Sequence, residues 1–164
     1  MINSDIDTRI IKQPNNSLPP CIICDLDGTL ALHTSGRKFY EEWRCNEDSC
    51  DPRLALLLDW MMYYGLDIIF ITGRQEDCRD KTLTWIKTHF HNWRQQKIDS
   101  DERIKLFMRS RGDKRPDQVI KKEIYDKYIK DKFNVLCVFE DRDKVVEMWR
   151  DEGLLCNQVY YGDF

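Results

Sequence analysis

Apolar residues gather along this chain in short, β-rich runs at 21–24, 66–71, 105–108, 135–139 and 154–160. Each run has the length of a buried strand, and stretches of helical periodicity lie between most of them. Residues 52–64 begin on Pro52, set Leu54, Leu57, Leu58 and Met61 on one face and stop at Gly65. A second helical stretch covers 76–90. Pro116 opens a third, with Ile120, Ile124 and Tyr128 four apart, and 142–152 carries Val145, Val146 and Trp149 ahead of Gly153. Trp60, Trp85 and Trp149 are expected in the core. Strand–helix alternation of this kind predicts an α/β fold, an open doubly wound parallel sheet covered on both faces. The alternation breaks between about residues 28 and 51, and an irregular segment of that length predicts a small flap inserted after the first strand.

With 164 residues there is room for one domain with a core, and we place it at 19–164 behind a polar leader, 1–18. Hydrophobic content of 41% and charged content of 34% fit a globular chain rather than a disordered one. A net charge of −3 argues against a generic nucleic-acid coat, while allowing a local basic patch. No apolar run reaches the length of a membrane helix, and the N-terminus lacks the layout of a signal peptide. Seven cysteines, an odd number with Cys21, Cys24, Cys137 and Cys156 inside apolar runs, predict free thiols in a reducing, cytoplasmic compartment. Cys21 and Cys24 form a C-x-x-C, but three positions apart on a strand they face opposite ways, so they are expected in the core rather than on a metal. Cys45 and Cys50 have no second pair, and the histidines show no ligand pattern.

Polar residues of one kind of chemistry follow the strands. Asp25 and Asp27 come after the first, Thr72, Gly73 and Arg74 after the second, Arg109 and Arg111 after the third, Glu140 and Asp141 after the fourth. In open α/β sheets ligands bind outside the carboxyl ends of the strands, so these groups should converge. Asp25, Asp27, Glu140 and Asp141 offer only hard oxygen ligands, which suits Mg²⁺. A calcium-binding loop fails on spacing: it needs Gly at its sixth position, and counting from Asp25 that position is Leu30. In D-x-D-G-T one carboxylate can attack phosphorus while the second, two residues on, handles protons. Gly28 lets the backbone turn beside the phosphate and Thr72 can donate to phosphoryl oxygens. Lys121 should balance the charge, with Lys122 as its substitute.

The stretches DLDGT and ITGR, Lys121 and the Glu140–Asp141 pair resemble the four motifs of the haloacid-dehalogenase phosphatases. RGDKRPDQVIKKEIYDK and EDRDKVVEMWRDEGLLCNQVYYGDF are similar, more narrowly, to the 3′-phosphatase domain of bacteriophage polynucleotide kinase/phosphatases. This resemblance implies Asp25 as nucleophile and Asp27 as general acid/base with its backbone carbonyl on the metal. It implies Thr72 and Lys121 as phosphate-holding groups, and Asp141 with Glu140 as the rest of a Mg²⁺ site. Gly28, Arg37, Asp48, Gly73, Arg74, Arg109 and Arg115 fall on family positions around the substrate. Glu140 departs from the usual aspartate, and Thr72 from a serine.

The reaction so implied is removal of a terminal phosphate from single-stranded 3′ ends of DNA or RNA, in nucleic-acid end repair. The cationic stretch Arg109, Arg111, Lys114, Arg115, Lys121 and Lys122 suits a polyanionic strand, and Trp43 in the flap could stack on a base. No G-x-x-x-x-G-K-[ST] phosphate loop occurs, so a kinase or ligase is expected on a separate chain. The resemblance leaves a homodimer open. Two other readings are a small-molecule, nucleotide-type phosphatase on the same scaffold and a phosphate-receiving signalling domain. The second fits poorly, because its phosphorylated Asp would follow the third strand, which here ends in Arg109.

Overall fold

Strand β1 (Pro20–Cys24) is the apolar run PCIIC, and it lies in the middle of a sheet. In the computed structural model, which describes residues 15–38, 40–91 and 103–162, five strands pair in parallel. The leader up to residue 14 and the last two residues of the terminal GDF lie outside the described residues.

A short hairpin of β2 (Ala31–Leu32) and β3 (Ser49–Cys50), with a 3₁₀ turn at Glu42–Glu47, makes the flap. Helix α1 (Pro52–Tyr63) follows, then β4 (Asp67–Gln75), α2 (Arg79–His91) and β5 (Ile104–Arg109). After them come α3 (Asp117–Tyr128), β6 (Asn134–Arg142), α4 (Asp143–Asp151) and β7 (Cys156–Gly162). The sheet order is β5-β4-β1-β6-β7, so the chain winds outward from β1 on both sides, which is the predicted α/β doubly wound arrangement.

Side chains alternate across β1 and feed two cores. Ile22 and Cys24 join Leu54, Leu58 and Met62 of α1 and Trp85 and Ile86 of α2. Cys21 and Ile23 join Ile120, Ile124 and Tyr125 of α3 and Val145, Val146 and Trp149 of α4. The two cysteines of the C-x-x-C thus sit on opposite faces of the sheet, and both are free thiols.

Three expectations fail in detail. Trp60 and Leu57 of α1 are 52% and 41% exposed, not core. Helix geometry turns positions 54, 55, 58 and 62 to the sheet, and the opposite side is apolar too, so the sequence pattern cannot choose between them. Tyr128 lies at the edge, stacked on Phe107 at 5.1 Å between ring centroids. Strands β4 and β6 run on through Thr72 and Glu140, because ladder pairing continues after the apolar residues stop; shifts in register accompany the overrun.

Candidate active site

The backbone N–H of Asp25 donates to the carbonyl of Phe139 at 3.0 Å, so Asp25 begins where β1 is still tied to β6. The chain then turns sharply: the N–H groups of Thr29, Leu30 and Ala31 all donate to the carbonyl of Leu26. Gly28 sits in this turn at φ +84, and a Cβ there would overlap the Asp141 carboxylate. The turn therefore places Asp25 and Asp27 against the ends of β4 and β6.

Two charged clusters result. In the first, Lys121 of α3 donates to Asp25 Oδ1 at 2.6 Å and to Glu140 Oε2 at 2.7 Å. Asp141 completes a triad with Asp25 and Glu140, with one oxygen of each within 4.8 Å of the others. All four side chains are buried. Burial pushes the Asp25 carboxyl up to about 7, against the pull of Lys121. Burial raises Glu140 and Asp141 as well. Burial works to discharge Lys121, but Asp25 and Glu140 hold its ammonium well above the usual range. The longer Glu140 side chain also accepts from the N–H groups of Asp141 and Arg142 at 3.3 and 3.5 Å.

The second cluster joins the flap to β4. Arg37 forks onto Asp48 at 2.6 Å through Nε and Nη2, and Nη2 also reaches Asp27 at 2.6 Å. Arg74 forks onto Asp27 at 2.7 Å through Nε and Nη2, and Nη2 reaches Asp48 at 3.0 Å. Burial disfavours the ionised form of Asp27, but Arg74, His33 and Arg37 outweigh it and hold the carboxyl well below the carboxylate range. The flap is docked by further bonds: Trp85 Nε1 donates to the Asp48 carbonyl at 2.8 Å, and Gln75 N–H to Glu42 at 2.7 Å.

Charge separates the two clusters as cation sites. Asp27 and Asp48 are matched by Arg37 and Arg74, so the flap cluster, although Asp27, His33 and Asp48 converge, is already neutral. Asp25, Glu140 and Asp141 face one ammonium, which leaves two negative charges among buried groups when all are ionised. Buried, uncompensated carboxylates are costly, and a hard divalent cation is what this oxygen set fits.

The sequence-derived residues are thus largely brought together. Thr72 is fully buried, and its Oγ1 accepts from the Arg74 N–H at 3.2 Å. Lys122 does not substitute for Lys121; it points away, to Asp126 at 2.6 Å and Glu152 at 2.9 Å. Arg109 braces the loop after β5, donating to the carbonyls of Gly73 at 2.8 Å and Arg115 at 2.6 Å. Arg115 stands half exposed on the surface, on Asp113 and Glu123.

Sequence reasoning passed over His33, whose Nε2 lies 2.8 Å from both Asp27 Oδ1 and Arg37 Nη2. It also passed over Asp117, which takes both Arg109 and Arg142 and packs under Gly73. The signal for Asp117 was present: it lies one helical turn before Lys121, just after Pro116.

Known proteins resemble this chain in sequence and fold. A class C acid phosphatase from Bacillus anthracis has the same fold at 16% identity, with a TM-score of 0.59 over 92% of this chain and 70% of that one. A chain of the Pnkp1/Rnl/Hen1 RNA repair complex superposes with a TM-score of 0.82 at 34% identity, over 96% of this chain and 47% of that one. A protein of Autographa californica nuclear polyhedrosis virus, described as a bifunctional polynucleotide kinase/RNA ligase, is 36% identical over 144 residues, 83% of this chain and 18% of its own length. Fold and site together define a phosphoric monoester hydrolase of the haloacid-dehalogenase type. The chain belongs to the family described as the polynucleotide kinase PNKP phosphatase domain, whose profile matches residues 19–164. It spans about half the length of the solved relative, and under a fifth of the viral one. No helix among the described residues is long and apolar enough to cross a membrane.

Proposed function

We propose that the chain is a Mg²⁺-dependent polynucleotide 3′-phosphatase of nucleic-acid end repair, working through an aspartyl-phosphate on Asp25. The observation that carries this reading is the buried Asp25–Glu140–Asp141 triad with its single ammonium, Lys121, in a chain of this family. One relative is named for an RNA repair complex and the other for RNA ligation, which favours RNA ends as substrate.

Asp25 is the group best placed to attack. Its carboxylate oxygen would bond to phosphorus as the bond from phosphorus to the 3′ oxygen breaks, and the leaving oxygen takes a proton. Water then attacks phosphorus, restoring the carboxylate and releasing phosphate. Lys121 holds Asp25 in place and offsets charge on the phosphoryl oxygens. Mg²⁺, held by Asp25, Asp141, Glu140 and the Asp27 carbonyl, would screen the repulsion between carboxylate and phosphate.

Asp27 in this state is a carboxylate, held so by Arg37, Arg74 and His33, and suits the base step. To act as the acid it must first be protonated. A phosphate dianion bound beside Asp27 would add like charge next to it and raise its affinity for a proton.

The test is phosphate release from a 3′-phosphorylated oligonucleotide, against its 5′-phosphorylated isomer, a mononucleotide and an EDTA control. Preference for the 3′ end, lost with EDTA, is expected. Faster hydrolysis of the mononucleotide would replace this reading with a nucleotide phosphatase. Arg115→Ala should raise KM for the oligonucleotide about three- to tenfold and leave a small aryl phosphate unchanged, as befits an exposed strand contact. Equal effects on both substrates would place Arg115 in the phosphate pocket instead.

A further inference from the structure

Two members of the flap cluster reach the surface. The side chains of Arg37, Asp48 and Arg74 are fully buried, whereas those of Asp27 and His33 are 26% and 28% exposed. The two touch, with His33 Nε2 at 2.8 Å from Asp27 Oδ1. His33 follows β2 directly, and the backbone there is fixed: the Thr34 N–H donates to the carbonyl of Leu32 at 2.8 Å, and the Thr34 hydroxyl meets that of Ser49. As a partner for Asp27 the ring is surplus. Arg37 and Arg74 already donate to Oδ1 at 2.6 and 2.7 Å, and Arg74 to Oδ2 at 2.7 Å. The second ring nitrogen, Nδ1, has no partner among the described residues.

We propose that His33 reads the 2′-hydroxyl of the terminal ribose, so that RNA ends are preferred over DNA ends; this rests on the 3′-phosphatase reading above. On that reading Asp27 handles the proton of the 3′ oxygen as it leaves. The 2′ oxygen sits on the adjoining carbon of the same sugar, so a side chain against Asp27 Oδ1 at the open side of the cluster lies beside it. Nδ1 suits a hydroxyl in either tautomer of the neutral ring. With the proton on Nδ1, the ring donates to the 2′ oxygen. With the proton on Nε2 and donated to Asp27, Nδ1 accepts from the 2′-OH. A hydroxyl serves both cases, and it is the group that separates RNA from DNA. A ring whose only work was to neutralise Asp27 would bring charge to an ion cluster in which two arginines already match two aspartates.

The test compares kcat/KM, with Mg²⁺ in excess, for two 3′-phosphorylated oligonucleotides that differ only in their terminal sugar, ribose or deoxyribose. The parent should favour the ribose end about tenfold, the size of one hydrogen bond at a half-exposed site. His33→Leu should bring the ratio to about one, whatever it does to the two rates together. Amide side chains separate the two nitrogens, because asparagine puts a polar atom near the place of Nδ1 and glutamine near that of Nε2. His33→Asn should therefore keep most of the preference. His33→Gln, which keeps the contact with Asp27, should lose it. Equal rates for the two ends in the parent, or a preference that survives His33→Leu, overturns the inference while the phosphatase reading stands. So does a preference kept by His33→Gln and lost in His33→Asn. Phosphate release from neither oligonucleotide, with a mononucleotide hydrolysed instead, overturns both.

Discussion

Asp25→Asn is expected to lower kcat by roughly four orders of magnitude or more, and at the same time to make the metal-free protein more stable. The first effect follows because an amide cannot form the acyl-phosphate, and the remaining groups only bind and polarise. The second follows from burial. The Asp25 carboxyl is pushed up to about 7 from an ordinary value of 3.8. Between those values the folded state holds a proton that the unfolded state has lost. Stability from this group is present below about pH 4 and disappears as the pH rises through about 7. Asparagine removes that slope. In EDTA at pH 8 the variant should melt several degrees higher than the parent, at about 2–4 °C per kcal/mol for a chain of this size. Adding Mg²⁺ should close the gap, since the cation binds the folded parent more tightly than the variant. A parent that melts higher than Asp25→Asn in EDTA at pH 8 would show that Lys121 outweighs the cost of burial.

Arg74→Met should be the most destabilising single change at the site, at about 3–5 kcal/mol. The Arg74 side chain is fully buried and forks between Asp27 and Asp48. Its loss leaves Asp48, also fully buried, on Arg37 alone, and leaves two carboxylates for one guanidinium. Truncating one member of such a network costs more than the network contributes, because the orphaned charges stay behind. The expected melting temperature is about 10 °C lower. Combining Arg74→Met with Asp48→Asn should recover part of the loss, which a thermal-melt cycle of the four proteins measures. Strict additivity of the two changes would show that the charges are not coupled.

The strands and the chemistry at their ends were legible because each is a local signal. An apolar run ending in Asp25 or in Glu140–Asp141 can be read without knowing what lies beside it, and the parallel order then brings these ends together. Lys121 followed from charge balance. His33 and Asp117 were hidden for opposite reasons. His33 lies in the flap, where no periodicity fixes which way a side chain points. Asp117 sits in a run of cations that reads as a patch, although its work is to hold Arg109 and Arg142 in place. Trp60 misled because burial of a helix depends on whether anything covers its second face, which is a property of the assembly rather than of the helix.

The ion pair between Asp25 and Lys121 spans 96 positions along the chain, and that between Asp27 and Arg74 spans 47. Closing loops of such length costs chain entropy before any contact is made, and non-local pairings of this kind form slowly. Helices α1 and α3 can form from local contacts early in refolding, but the triad exists only once β6 has joined β1. Regained activity should therefore trail regained helix signal, and a nascent chain that has not yet reached Asp141 has no working site.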